Sequence, residues 1–255
     1  MIDVRDLVRT FGDNTVLQGV TFSAPAGAIT GYLGPNGAGK STTLKILTGL
    51  LSPSAGTVQI AGHDVADEPL EVKRAIGYVP ESGALYETLT PVEYWSLICE
   101  LYEVDPGVAQ RRIGEWVERF DLSTFQHRRI ADLSKGTRQK VCLTSAFLHD
   151  PQVLMLDEPL NGLDVNATDA FRDELKRLAS DGRTVLYSSH ILDVVERTCD
   201  RVVVLHGGKV VAEDTTDALL AGGPDGAPRH LTEVFKQLTT SAEIAEQQES
   251  EDADS

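Results

Sequence analysis

No apolar run in this chain approaches the roughly 18 residues that a membrane-spanning helix needs, and the longest candidates, VLML and VVVL, are strand-sized. The opening stretch MIDVRDLVRTFG interleaves acids with arginines. It lacks both the apolar centre of a secretory signal and the acid-poor makeup of a transit peptide, so the expected location is the cytoplasm. Basic residues are scarce: 23 Lys and Arg against 39 Asp and Glu give a formal net charge of −16. That balance opposes nucleic acid, whose binding proteins carry a basic stripe, and opposes unaided adhesion to anionic lipid. The three cysteines, Cys99, Cys142 and Cys199, are odd in number, far apart and without CxxC spacing, which excludes a disulfide framework and leaves reduced packing residues. The six histidines show no metal-ligand spacing either.

What is present is a globular pattern, with 41% hydrophobic and 24% charged residues over a length that fits one large domain or two small ones. Short β-type runs (IDVRDLV, VLQGVTFSA, AITGYLG) alternate with Gly, Asn and Pro turns over residues 1–33, and GKSTTLKILTGL then reads as a helix stopped by LSPSAG. TVQIAG, a short acidic helix and AIGYVP follow. From Pro91 to about Leu148 the apolar spacing is helical. QVLMLDEP returns to a buried strand, a helix is expected from about Asp164 to Ala179, and RTVLYSSH and DRVVVLHGG supply two more strands. Strands alternating with helices imply an α/β fold with a mostly parallel sheet, interrupted by an inserted α-helical subdomain. After residue 220 the composition loosens. LTEVFKQL gives a short amphipathic helix, and SAEIAEQQESEDADS, with six acids and no base, is expected to be a disordered acidic tail.

Two stretches bear on chemistry directly. GPNGAGKS matches G-x-x-x-x-G-K-[ST] at Gly34, Gly39, Lys40 and Ser41, after an apolar strand and before a helix. The loop Gly34, Pro35, Asn36, Gly37, Ala38, Gly39 and the helix start at Thr42 would turn N–H groups toward phosphate oxygens, Lys40 would reach the terminal phosphates, and Ser41 would offer a hydroxyl to Mg²⁺. VLMLDEP ends a buried strand in Asp157, placed where an open α/β sheet holds a metal, and Glu158 beside it could polarise an attacking water. A third stretch, LSKGTRQK, gathers Lys135, Arg138 and Lys140 around the first turn of a helix. A cation there costs roughly 0.3–1 kcal/mol against the positive helix end, unless an anion faces it.

The ordered series of phosphate loop, YVPE, LSKG, LMLDEP, NGLD and SSH resembles the nucleotide-binding (ATPase) subunit of ABC transporters, of the single-cassette exporter type, over residues 2–220. The resemblance implies a P-loop NTPase core, an antiparallel β subdomain and a helical insertion at about residues 86–148, with 221–255 as a C-terminal extension. It implies ATP and Mg²⁺ as ligands, a head-to-tail homodimer on ATP binding, and a separate integral-membrane permease that would keep the chain on the inner face of the membrane. Ser134 and Gly136 would then contact the γ-phosphate bound by a second copy, and Asp164 would lie in the loop crossing the dimer. Phe11 would stack on adenine, with core packing as its alternative, and His190 would orient water together with Glu158. The family usually places Gln at the position of Glu81, where it ligates Mg²⁺, and usually has Gly at Lys135 and Gln at Thr137; the first two departures are shared by single-cassette exporters. The patch ALYETLTPVEYW, residues 84–95, is the expected permease dock through Leu85 and Tyr86, with the packed interior of the helical insertion as its alternative and Trp95 assigned to the core. A soluble cassette acting on the ribosome and a nucleotide-binding module without turnover stand as alternative functions.

Overall fold

The computed structural model describes residues 1–81, 85–222 and 229–253. β1 (Ile2–Phe11) and β2 (Asn14–Ala24) form an antiparallel hairpin whose alternate residues, Ile2, Val4, Leu17 and Val20 among them, are buried on one face. β3 (Ile29–Leu33) leaves this ribbon to become a central strand, buried at every position, and hands over to α1 (Lys40–Leu47). β4 (Ala55–Ile60) returns to pair with β1, and β5 (His63–Asp64) completes a four-stranded antiparallel sheet in the order β2-β1-β4-β5. Gly56, at φ 88°, is required at the β1–β4 contact, because a Cβ there would lie 2.4 Å from the carbonyl oxygen of Asp6.

α2 (Pro69–Ala75) leads into β6 (Ile76–Val79), after which the chain is helical for three elements: α3 (Pro91–Leu101), α4 (Pro106–Arg119) and α5 (Lys135–Phe147). Thr90 and Glu93 close a reciprocal capping box at the start of α3, and Asp105 accepts from the amides of Gly107 and Val108 to start α4. Trp95 is fully buried and its indole N–H donates to Val141 O at 3.1 Å, which places it in the core as expected. Trp116 stacks on Phe147 with centroids 4.4 Å apart, joining α4 to α5.

β7 (Val153–Asp157), α6 (Val165–Ser180), β8 (Thr184–Ser188), α7 (Leu192–Thr198) and β9 (Arg201–His206) finish a sheet in the order β10-β9-β3-β8-β7-β6, parallel throughout except for β10 (Lys209–Thr215). Fully buried β3, β7 and β8 explain the unbroken apolar runs. β10 went unanticipated: it is an antiparallel edge strand of mixed composition, KVVAEDT, turned back by Gly207 and Gly208 at φ 53° and 77°. α8 (Thr216–Leu220) precedes α9 (Leu231–Ala253). α9 corrects the expectation of a disordered tail from residue 241, since the helix continues as far as Ala253. Ala, Glu and Gln are strong helix formers, and no Gly or Pro breaks the run.

The helical insertion is pinned to the sheet layer by charge as well as by aromatics. Glu174 on α6 is 5% exposed and accepts from Arg119 on α4 and from Arg177, whose Nη2 lies at 2.6 Å. Burial pushes its carboxyl up, but the Arg177 and Arg119 guanidiniums outweigh burial and hold it below the ordinary 4.5. A depressed carboxylate contributes stability that is present above its unfolded value and lost as pH falls past 4.5 through the folded value. Glu174→Gln is therefore expected to lower the thermal midpoint at neutral pH and to flatten its fall on the acid side of 4.5, as read from melts across that range. Parallel curves for the two proteins would contradict this.

Candidate functional site

The loop between β3 and α1 is shaped by positions where only glycine fits. A Cβ on Gly34 would lie 2.4 Å from Leu205 O, and one on Gly39, at φ 106°, 2.5 Å from a methyl of Leu17. Gly37 is also left-handed, at φ 84°. Because Gly39 is the N-cap of α1 it supplies no side-chain acceptor, so the first-turn N–H groups are left for another anion. Lys40 curls over this loop, donating from Nζ to the carbonyls of Gly34 (2.6 Å) and Pro35 (3.1 Å). Burial lowers the pKa of its ammonium, while the carboxylates of Glu158, Asp157 and Glu81 pull it back up.

β7 and β8 run in register with Asp157 beside Ser188, and the Glu158 amide donates to Ser188 O at 3.0 Å. The chain turns sharply here, holding Glu158 at φ 50°, an uncommon conformation for a residue with a side chain. Glu158 Oε1 accepts from the backbone N–H of His190 and meets His190 Nδ1, each at 2.7 Å; Oε2 accepts from Ser189 Oγ at 3.1 Å. Burial raises the pKa of Asp157, and the neighbouring Glu81 and Glu158 carboxylates raise it further against the opposing pull of Lys40. Tyr78 is likewise pushed up to about 12, by burial first and then by Asp157.

These segments converge on one cavity of about 470 Å³, lined by Val16, Asn36, Gly37, Gly39, Lys40, Ser41, Thr42, Glu81, Asp157, Glu158 and His190. One wall offers N–H groups and an ammonium, and the facing wall offers carboxylates and an imidazole. Such a cavity can hold a polyphosphate against Lys40, a cation against the carboxylates, and a water beside Glu158. Among the described residues no group of three or more His, Cys, Asp or Glu side chains is arranged to hold a metal alone. Mg²⁺ fits that arrangement, since it keeps several waters and binds through one or two carboxylates plus substrate phosphates. Ser189 is a site residue that the sequence reading passed over; its only signal was adjacency to His190 in SSH.

The other expected residues lie outside this cavity. Ser134 caps α5, accepting from Thr137 N at 3.2 Å and sharing a 2.8 Å hydrogen bond with the Thr137 hydroxyl. A Cβ on Gly136 would lie 2.2 Å from Gly162 O, so the start of α5 rests directly on the loop that follows Glu158. Asp164 caps α6 through Ala167 N and pairs with Lys140 Nζ at 2.7 Å; Arg138 pairs with Glu87 at 3.2 Å. Arg138, which would be costly in a single chain if only a phosphate could face it, thus already has a carboxylate partner, and so has Lys140. Lys135 alone of the three has no carboxylate partner among the described residues. Phe11 is 45% exposed at the end of β1 with the Arg9 guanidinium 4.4 Å above its ring, which rules out its alternative as a core residue. Tyr86 is 63% exposed and lies edge-on to Tyr94, while Leu85 is partly buried; Ala84, at the head of the expected docking patch, lies outside the described residues.

A family model described as ABC transporter matches residues 17–161. The ABC transporter ATP-binding protein NatA of Bacillus subtilis (strain 168) is 35% identical over 225 residues, which cover 86% of this chain and 91% of that protein. The linearmycin resistance ATP-binding protein LnrL of the same organism is 33% identical over 215 residues, 84% of this chain and 69% of that protein. Among solved structures, an ATP-binding subunit of an ABC transporter superimposes with a TM-score of 0.88 at 36% identity, covering 94% of this chain and 99% of that one. A dimeric ATP-binding cassette in a post-hydrolysis state, bound to ADP and Pi, gives 0.77 at 26% identity, covering 85% and 99% respectively.

Proposed function

This chain belongs to the ABC transporter family as an ATP-binding, ATP-hydrolysing subunit, and from that premise we propose that two copies close on two ATP molecules to drive export through a separate membrane permease. The observation that carries the reading is the single cavity in which the phosphate loop and Lys40 face Asp157 and the bonded pair Glu158 and His190. Residues 34–42 hold the β- and γ-phosphates, and Phe11 offers its exposed ring to the adenine. Ser41, Asp157 and Glu81 are the residues that would hold Mg²⁺, which would supply positive charge to offset that of the phosphates. Glu158 accepts a proton from the attacking water as oxygen joins the γ-phosphorus and the bond to ADP breaks. His190 and Ser189 hold the Glu158 carboxylate in place. Ser134, Gly136 and Lys135 of the second copy complete the site, with Lys135 as the cation left free to meet its phosphate.

We assign residues 1–220 to the ATPase domain and 221–255 to an extension. No helix among the described residues is long and apolar enough to cross a membrane, so the permease is a separate chain in this reading. It docks beside Tyr86 and Leu85, next to a cavity of about 240 Å³ lined by Tyr78, Tyr94, Tyr102 and His149, which holds the chain at the cytoplasmic face. Export is favoured by Glu81 and Lys135, the variants shared with single-cassette exporters, and by the likeness to a resistance protein. The test is ATP binding and turnover by the purified chain. Lys40→Ala is expected to weaken ATP binding more than tenfold, because a half-buried cation at the phosphates is lost. Unchanged affinity, measured by titration calorimetry, would sink the assignment of this cavity to nucleotide.

A further inference from the structure

The phosphate chemistry asks nothing of α9, yet α9 is built against the segment that carries His190. The His190 ring is 62% exposed, so little packing holds it from outside, and its place depends on the backbone around it. That backbone runs straight into α7, a seven-residue helix that begins two residues later and has no side-chain N-cap. So short a helix needs tertiary support. On its inner side α7 presses on β3, where a Cβ on Gly31 would lie 2.6 Å from a Val195 methyl, and Arg172 of α6 donates to Thr198 Oγ1 at 3.2 Å. On its outer side stands α9. Glu196 of α7 accepts the Leu231 amide at 2.7 Å and meets His230 Nδ1 at 3.4 Å, which places a carboxylate at the positive start of the 23-residue helix. Leu231 and Val234 are buried. One turn into α9, Phe235 lines a cavity of about 250 Å³ together with Gly34, Pro35, Asn36, Ser189 and His190.

We propose that the first two turns of α9 are a positioning strut for the His190 segment, with Glu196 and Phe235 as its positioning residues. Neither lines the 470 Å³ cavity assigned to nucleotide. Glu196 ties α7 to the start of α9, and Phe235 forms the far wall of the cavity behind the phosphate loop, which limits how far residues 189–192 can shift into it. The strut thereby holds His190 on Glu158. This rests on the reading of Glu158 and His190 as the hydrolytic pair.

The experiment is a double-mutant cycle on the full chain, reading kcat, KM for ATP and the thermal midpoint. Phe235→Ala is expected to lower kcat about tenfold while KM changes less than about twofold, as misplacement of a catalytic group does. Phe235→Leu, which restores most of that wall, should recover most of that loss. In a His190→Ala background Phe235→Ala should cost less than about twofold more, because the group it positions is already gone. An equal loss of kcat in both backgrounds, or a change confined to KM and the thermal midpoint, would overturn the proposal. If Phe235→Ala does not fold, Glu196→Ala carries the same cycle with the same expected outcomes. Undiminished hydrolysis by Glu158→Gln would instead defeat the underlying assignment of the pair, so the two failures are told apart.

Discussion

Glu158→Gln is expected to cut ATP hydrolysis by about 10²–10⁴-fold while ATP binding by the single chain stays near wild type. The substitution keeps the shape of the side chain and most of its bonds. The amide oxygen still accepts the His190 backbone N–H, now made at 2.7 Å, and the new NH₂ faces Ser189 Oγ, which has a lone pair to accept it. What the amide cannot do is take a proton from water. Loop, Lys40 and Asp157 remain as they were, so substrate is held but not consumed, and the closed two-copy species should accumulate. Size-exclusion chromatography with saturating ATP and Mg²⁺ reads this directly: a shift to twice the single-chain mass is expected. A protein that stays monomeric under those conditions would sink the dimer mechanism, and one that hydrolyses at the wild-type rate would remove Glu158 from the chemistry.

The parts of this site legible in the sequence are those where local backbone chemistry restricts the residue type. Gly34 and Gly39 are confined by backbone approach and by positive φ, so the loop announces itself as a pattern, and the strand before it is read from a run of apolar residues. Asp157 is legible because a buried strand that ends in two acids has few reasons to do so. Pairings between distant elements left no such trace. Nothing in LSKGTRQK shows that Glu87 and Asp164 already answer two of its three cations, because each carboxylate arrives from a different element. Edge strand β10 was hidden by its polar composition, and the acidic end of α9 read as tail because composition alone cannot separate a solvated helix from a solvated coil. Glu158 carries a further feature no sequence reading predicts, a left-handed backbone at φ 50° that aims its carboxylate at His190.

Gly136→Ala should rank with Glu158→Gln in its effect on turnover, and for a reason that is purely spatial. The added methyl carbon would start 2.2 Å from Gly162 O, a backbone atom that cannot rotate away as a side chain would. Either the start of α5 or the loop from Pro159 to Asp164 must move. Both are cross-tied, since Gln139 Nε2 donates to Pro159 O at 2.9 Å and Lys140 grips Asp164 at 2.7 Å. A shift there therefore reaches the Glu158 carbonyl, which accepts from Asn161 N, and it displaces the Ser134 cap that we propose meets the other copy. Overpacking of this kind costs about 1–3 kcal/mol of stability, and displacement of the groups by an ångström costs on the order of 100-fold in turnover. ATP binding by one chain should change little, because neither Gly136 nor Gly162 lines the 470 Å³ cavity. Gly114→Ala supplies the control: its Cβ meets nothing within 4 Å in the middle of α4, so the same substitution there should stabilise by about 0.5–1 kcal/mol and leave turnover alone. Thermal melts, single-chain nucleotide titration and steady-state ATPase assays on the two variants separate the outcomes. If Gly136→Ala matched Gly114→Ala in all three, the contact between the start of α5 and the loop after Glu158 would have no part in forming the hydrolytic site.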